Sequence, residues 1–291
     1  MRILALETSS EYCSVALWQD GTVVERCELV GQKHSEVLMG MLNKLLRAAD
    51  TKNFCPGTRV KLAQSPQGGR RGIPNGSAIT LAQPPHNKVR QSTILATQGC
   101  GVDTGGRRGI PNGSAITLAQ LDGIAFGMGP GSFTGVRIAC GVTQGLALGA
   151  NLPVVGVCTL EALAEASGKP RVIAALDARM GEIYHAAYRK QNGTWLTECE
   201  PSLCLPQDAP SLPGDDWFGV GSGFAVHGAV LGGRYAGQLL GMDGSLVPQA
   251  AAIAALGAAQ LALGHGVDAA AALPLYLRDK VALKTSEREK G

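Results

Sequence analysis

GMGPGSFTGVRIACG, residues Gly127 to Gly141, stands between an apolar run at Leu121–Phe126 and an amphipathic run at Val136–Leu148. The first run predicts a buried strand and the second a helix, so the glycines, proline and hydroxyls between them fall in a strand-to-helix loop. In an α/β protein such a loop presents backbone N–H groups to an anion at the helix N-terminus. Gly129 and Gly131 permit tight turns, Pro130 fixes φ between them, and Ser132 and Thr134 suit the cap. The spacing matches neither GxxxxGK[ST] nor GxGxxG, and no lysine stands in the loop, which excludes a P-loop. By spacing alone, a turn that only joins strand to helix is as good a reading as a phosphate seat.

Upstream, Ile3–Leu6 and Ser14–Trp18 read as strands around the hydroxyl-rich turn Thr8-Ser9-Ser10-Glu11. Asp20-Gly21 is a hairpin signal and Thr22–Leu29 the returning strand. Arg171–Leu176 and Glu182–Arg189 repeat this arrangement around Asp177-Ala178-Arg179-Met180-Gly181, which predicts a duplicated architecture with a cleft between halves. Glu7 and Asp177 end the two leading strands. A lone carboxylate at a strand end is more often structural, and Asp177 with Arg179 equally fits a local turn. Ser35–Ala49 reads as a helix with Val37, Leu38, Met41, Leu42, Leu45 and Leu46 on one stripe. Val136–Ala150 is a Gly/Ala-rich helix, and Ala250–Leu263 an Ala-rich one; Pro201–Pro213 reads as irregular. His34 has no histidine partner at HxxxH or HxxxxH spacing, and a metal needs three or four converging ligands.

The chain has 291 residues, 45% of them apolar and 4% aromatic, which suits two modest domains with an Ala/Val/Leu/Gly core. No apolar run has the length of a membrane span, and Met1-Arg2-Ile3 leads straight into a strand without a signal-peptide pattern, so a cytoplasmic location is expected. The eight cysteines form no CxxC pair and read as reduced small hydrophobes. The net charge of +3 is misleading: residues 51–114 carry nine Lys/Arg against one acid, leaving 17 basic against 22 acidic residues elsewhere. That block contains GGRRGIPNGSAITLAQ at Gly68–Gln83 and begins a second, unchanged copy at Gly105–Gln120. Two copies are too few for a stacked array, and the composition predicts disorder, so the block reads as an insertion of about sixty residues. The expected domains are 1–168, interrupted at about 51–114, and 169–291 with a frayed tail from Lys284.

GPGSFTGVRI, together with ILALETSSEYCSVAL at Ile3–Leu17, ALDARMGEIY at Ala175–Tyr184 and PLYLRDKVA at Pro274–Ala282, resembles the signature of the TsaB (YeaZ) family of tRNA threonylcarbamoyladenosine biosynthesis. The resemblance implies two RNase-H-like halves of the actin/Hsp70/sugar-kinase (ASKHA) superfamily. It implies a non-catalytic subunit that binds and supports TsaD, together with TsaE, in adding threonylcarbamoyl to the adenosine beside the anticodon. Glu7, Thr8, Ser9, Gly129, Gly131, Ser132, Thr134 and Asp177 would then occupy the nucleotide- or phosphate-facing positions, with ATP or ADP belonging to the whole complex and no metal site. Val37, Leu38, Met41, Leu45, Ile138, Val142 and Gly145, on the two first-domain helices, would face TsaD or a second copy, and tRNA would be met through the complex. The alternative is an ATP-dependent ASKHA-type enzyme acting alone. A protease reading has no Ser/His/Asp or zinc constellation behind it.

Overall fold

The computed structural model describes residues 1–48, 59–61 and 115–278. The disorder expected over 51–114 and the frayed tail fall outside these residues, with one exception. Arg59–Lys61 (β4) pairs in parallel with the third strand, whose edge would otherwise leave N–H and C=O groups unpaired.

The first sheet is built from β1 (Arg2–Glu7), β2 (Tyr12–Gln19) and β3 (Thr22–Leu29) as an antiparallel meander, with β5 (Gly123–Gly129) and β6 (Val154–Cys158) added in parallel. Its order is β4-β3-β2-β1-β5-β6. Asp20 and Gly21 have φ of 48° and 88°, so the Asp-Gly signal forms the left-handed two-residue hairpin turn that joins β2 to β3. The central strands are buried on both faces, which is why they read as unbroken apolar runs. Alternate residues divide between two cores. Leu4, Leu6, Val15, Leu17, Ile124 and Phe126 meet α1 (His34–Ala48) and α2 (Phe133–Ala150); Ile3, Ala5, Ala16, Ala125 and Val157 meet α5 (Ala250–Ala262). Gly257 lets α5 approach β5, since a Cβ there would stand 2.4 Å from the Ala125 methyl.

The second sheet has the order β11-β10-β7-β8-β9, formed by β7 (Arg171–Asp177), β8 (Ile183–Gln191), β9 (Thr194–Cys204), β10 (Trp217–Val220) and β11 (Leu239–Asp243). One face carries α4 (Ser222–Arg234) over Ile173, Trp217 and Tyr235; the other carries α3 (Thr159–Ser167) over Val172, Ala174 and Tyr188. The strand β9 extends through Pro201 into the stretch expected to be irregular. It is an edge strand with a bulge opposite His185–Ala187, so the missing proline N–H removes no ladder bond. Residues C-terminal of 168 do not all stay with this sheet, because α5 returns to pack on β1, β2 and β5 of the first.

The last residues of the second repeat copy are structural. The Ile116 side chain is in the first core and its N–H donates to the Leu46 carbonyl at 3.0 Å. Among the described residues no helix is long and apolar enough to cross a membrane.

Candidate functional site

The signature loop and the Thr8–Ser10 turn are bonded to each other. Ser132 N–H donates to Ser9 O at 2.7 Å, and Thr8 Oγ1 donates to Gly135 O at 2.7 Å. Ser132 caps α2 through Gly135 N–H at 3.4 Å. Two glycines allow this contact. A Cβ on Gly131 would meet Ser9 Cβ and O at 2.6 Å, and one on Gly135 would meet Thr8 O at 1.9 Å. The Gly129–Pro130 peptide is cis, and Gly129 has φ of +102°. Backbone groups that would cradle a phosphate are therefore partly spent in joining β1's turn to α2.

Glu7 is fully buried beneath this joint. Its Oε1 accepts from Ser9 N–H, while Oε2 lies against Gly127, where a Cβ would sit 1.8 Å away, and has no hydrogen-bond partner. Burial pushes the carboxyl above its ordinary value, against the opposing hydrogen bonds from Ser9 and Thr8. A carboxyl held so resists ionising, and it does not open onto the cleft. Asp177, at the end of β7, serves its own turn. Its Oδ1 accepts from Arg179 N–H at 3.2 Å, its N–H donates to Ser222 Oγ at 3.0 Å, and His227 Nε2 lies 3.7 Å from Oδ1. Arg179, Met180 and Gly181 follow with φ of 64°, 57° and 77°, a turn that an Asx hydrogen bond stabilises.

A cleft of about 680 Å³ lies between the two turns. The structure brings Ser9, Gly131, Ser132, Thr134 and Asp177 together on its lining; Glu7, Thr8 and Gly129 stand behind the wall. The exposed Ser132 and Thr134 hydroxyls at the start of α2 are the groups there best placed to meet a phosphate. The segment Leu275–Arg278, which spacing did not mark as part of any site, also lines the cleft. Tyr276 OH accepts from Arg137 Nε at 2.7 Å beside the Phe133 ring, and Arg278 bonds Ala178 O at 3.0 Å and Glu182 at 2.7 Å. The sequence signal was the PLYLRDKVA motif alone; nothing local names its partners more than ninety residues away.

Of the residues expected to face a partner, Leu38, Met41 and Leu45 are 1%, 2% and 0% exposed and belong to the first core. The apolar stripe of α1 packs against β2 and β3, as an amphipathic helix on a sheet must. Val37, Ile138 and Val142 are half-buried and Gly145 is exposed, near Met39 and Leu148, so a surface remains at these positions. His34 is a core residue with Nε2 3.2 Å from Tyr12 O, and among the described residues no three His, Cys, Asp or Glu side chains gather as a metal site.

Two sheets, each opening on antiparallel strands around a turn that faces a shared cleft, define an ASKHA-type α/β protein with two RNase-H-like halves. The family model described as TsaD, tRNA N6-adenosine threonylcarbamoyltransferase, matches residues 111–284. The tRNA threonylcarbamoyladenosine biosynthesis protein TsaB of Escherichia coli K12 is 32% identical over 98% of this chain and 97% of its own length. The Haemophilus influenzae Rd protein of the same name is 28% identical over 98% and 96%. A solved structure of YeaZ from Pseudomonas aeruginosa superposes with a TM-score of 0.67 at 31% identity, covering 95% of this chain and 99% of that one. The chain belongs to the TsaB (YeaZ) family.

Proposed function

We propose that this protein is a supporting, non-catalytic subunit in the synthesis of tRNA threonylcarbamoyladenosine, acting by binding a TsaD-like transferase together with a TsaE-like protein. The observation that carries this reading is the placement of Glu7: the acidic group at the end of β1 is fully buried and lies behind the cleft wall. Behind the wall it is out of reach of a metal ion or water bound in the cleft. In this reading tRNA is met through the complex, ATP or ADP belongs to the complex, and the protein works in the cytoplasm. Residues 1–168 and 169–291 are taken as the two halves, with α5 lent back to the first.

Reconstitution tests it. With TsaD-like and TsaE-like partners, threonylcarbamoyl-adenylate and tRNA, modification is expected only when this chain is present, and the chain alone should transfer nothing. Transfer by the purified chain alone would reject the reading. A solitary ATP-dependent enzyme is the second reading, favoured by the roomy cleft with Ser9, Ser132, Thr134 and Asp177 on its lining. Magnesium-dependent ATP hydrolysis abolished by Glu7→Ala would support that alternative.

The contact surface for a TsaD-like partner, or for a second copy, is taken to be the outer faces of α1 and α2 around Val37, Ile138, Val142 and Gly145. A Cβ at Gly145 meets nothing within 4 Å and the position is exposed, so Gly145→Arg should leave folding intact. If Gly145 lies in a desolvated contact, the substitution should weaken partner binding by about tenfold or more, as interface anchors do. Leu240→Arg, at a position 72% exposed on β11, should not. Equal affinities by calorimetry for both variants would move the interface elsewhere.

A further inference from the structure

The two halves are joined at α3, at the chain between β11 and α5, and at the segment 272–278. Away from the cleft, α3 lies between the sheets: Leu160 and Leu163 belong to the second half's core and Ala162 to the first half's, and no α3 residue lines the cleft. Across the cleft run two segments: 244–249, which joins β11 to α5 with Leu246 on the second core and Val247 on the lining, and 272–278. The hold of 272–278 on the first half is multiple. Ala272 O accepts from Gln144 Nε2 at 2.9 Å and Cys140 Sγ at 3.3 Å, and Leu275 N–H donates to Met128 O at 2.7 Å. Tyr276 adds the Arg137 bond, with the Arg137 guanidinium 3.6 Å from the Phe133 ring centroid. Gly129 makes room for this, because a Cβ there would stand 3.0 Å from Leu275 O.

On the second half, among the described residues, the segment's polar contacts come from one side chain. Arg278 donates to Ala178 O, pairs with Glu182 and touches Met180 Sδ at 3.4 Å, all within the turn that follows Asp177. We propose that residues 272–278 are a latch across the cleft: they hold the halves at one separation, and the cleft opens about α3 when Arg278 lets go of the Ala178–Glu182 turn. The asymmetry selects the release point. Breaking the first-half end requires four or more contacts to fail together, whereas the other end yields when one guanidinium leaves. The pair is partly shielded, with side-chain exposures of 17% for Arg278 and 28% for Glu182, so it is a charge-assisted bond that salt weakens without abolishing. The latch stands independently of the function proposed above, since it concerns how the two halves of this chain are held.

The test is an inter-half distance in the full chain. Spin labels are introduced on non-cysteine chemistry at Leu29 and Leu240, which are 59% and 72% exposed on the first and second sheets, and the labelled protein is diluted in unlabelled chain. Pulsed electron resonance should give one narrow distance distribution for the parent. Arg278→Ala should broaden it and move it by several ångström to longer distance, and Glu182→Gln should do so in part. Leu273→Ala, at a position 66% exposed, should leave it unchanged. An unchanged distribution in Arg278→Ala with native circular dichroism would overturn the proposal, as would an equal broadening in Leu273→Ala.

Discussion

Gly135→Ala is expected to lower stability by about 3 kcal/mol or more, at the top of the range for overpacking, and to lower the thermal midpoint by roughly 6 °C or more. The added methyl would stand 1.9 Å from Thr8 O, which is backbone, so no rotamer change relieves the clash. Relief requires moving either the first turn of α2 or the end of β1. Both are tied to each other through the Ser132–Ser9 and Thr8–Gly135 hydrogen bonds. Gly141→Ala supplies the control six residues along the same helix, where a Cβ meets nothing within 4 Å. There the gain in helix propensity should stabilise by about 0.5–1 kcal/mol. Differential scanning calorimetry of the two variants decides the matter. Equal midpoints would mean that the signature loop is not welded to the first turn.

Gly127→Ala should cost about 2–3 kcal/mol through the same physics, with a carboxylate as the obstacle. A Cβ would sit 1.8 Å from Glu7 Oε2 and 2.8 Å from its carboxyl carbon. A flexible acid on the surface would swing away, but Glu7 is enclosed on every side. In a Glu7→Ala background the obstacle is gone, so the same substitution should cost less than about 1 kcal/mol, a coupling within the range for residues in contact. Glu7 also imposes a pH dependence. Its folded pKa is raised above the ordinary 4.5 by burial, so the folded state binds the proton more tightly than the unfolded chain does. Its contribution is fully present below 4.5 and is lost as pH rises through the raised value. Glu7→Gln, which cannot ionise, should remove that part of the decline. Urea midpoints for parent and Glu7→Gln should therefore diverge as pH rises above 4.5; parallel curves would sink the assignment.

Much of the fold was legible because its signals are local. Asp20-Gly21 gave its hairpin, since only residues tolerant of positive φ fit both turn positions, and they have φ of 48° and 88°. The run Leu121–Phe126 gave β5 and the loop after it gave the start of α2. The stripe on α1 was read correctly as apolar, but apolarity does not say what covers it. Leu38, Met41 and Leu45 are satisfied by the chain's own sheet, which leaves them no surface to offer a partner.

The candidate site was legible as a set of residues and not as an arrangement. Ser9, Ser132, Thr134 and Asp177 do meet on one cleft, yet Glu7 points into the wall, because the glycine opposite it on β5 opens a space that only the pairing of β1 with β5 creates. The return of α5 to the first sheet and the reach of Arg278 to Glu182 were invisible for the same reason. The repeat makes the division plain. SAITLAQ occurs at 77–83 and at 114–120, and no property of those seven residues ranks one above the other. Ile116 reaches the core at small cost because it lies five residues before Leu121 and seven before the start of β5 at Gly123, so seating it closes almost no loop. The sequence by itself determined the strands β1–β3, β5, β7 and β8, their turns and the helices α1, α2 and α5, since those depend on φ preferences and periodicity within a few residues. The tertiary structure alone decided which faces are covered, which carboxyl is buried and what bridges the cleft, since those depend on contacts between residues up to 236 positions apart, as between Ala250 and Ser14.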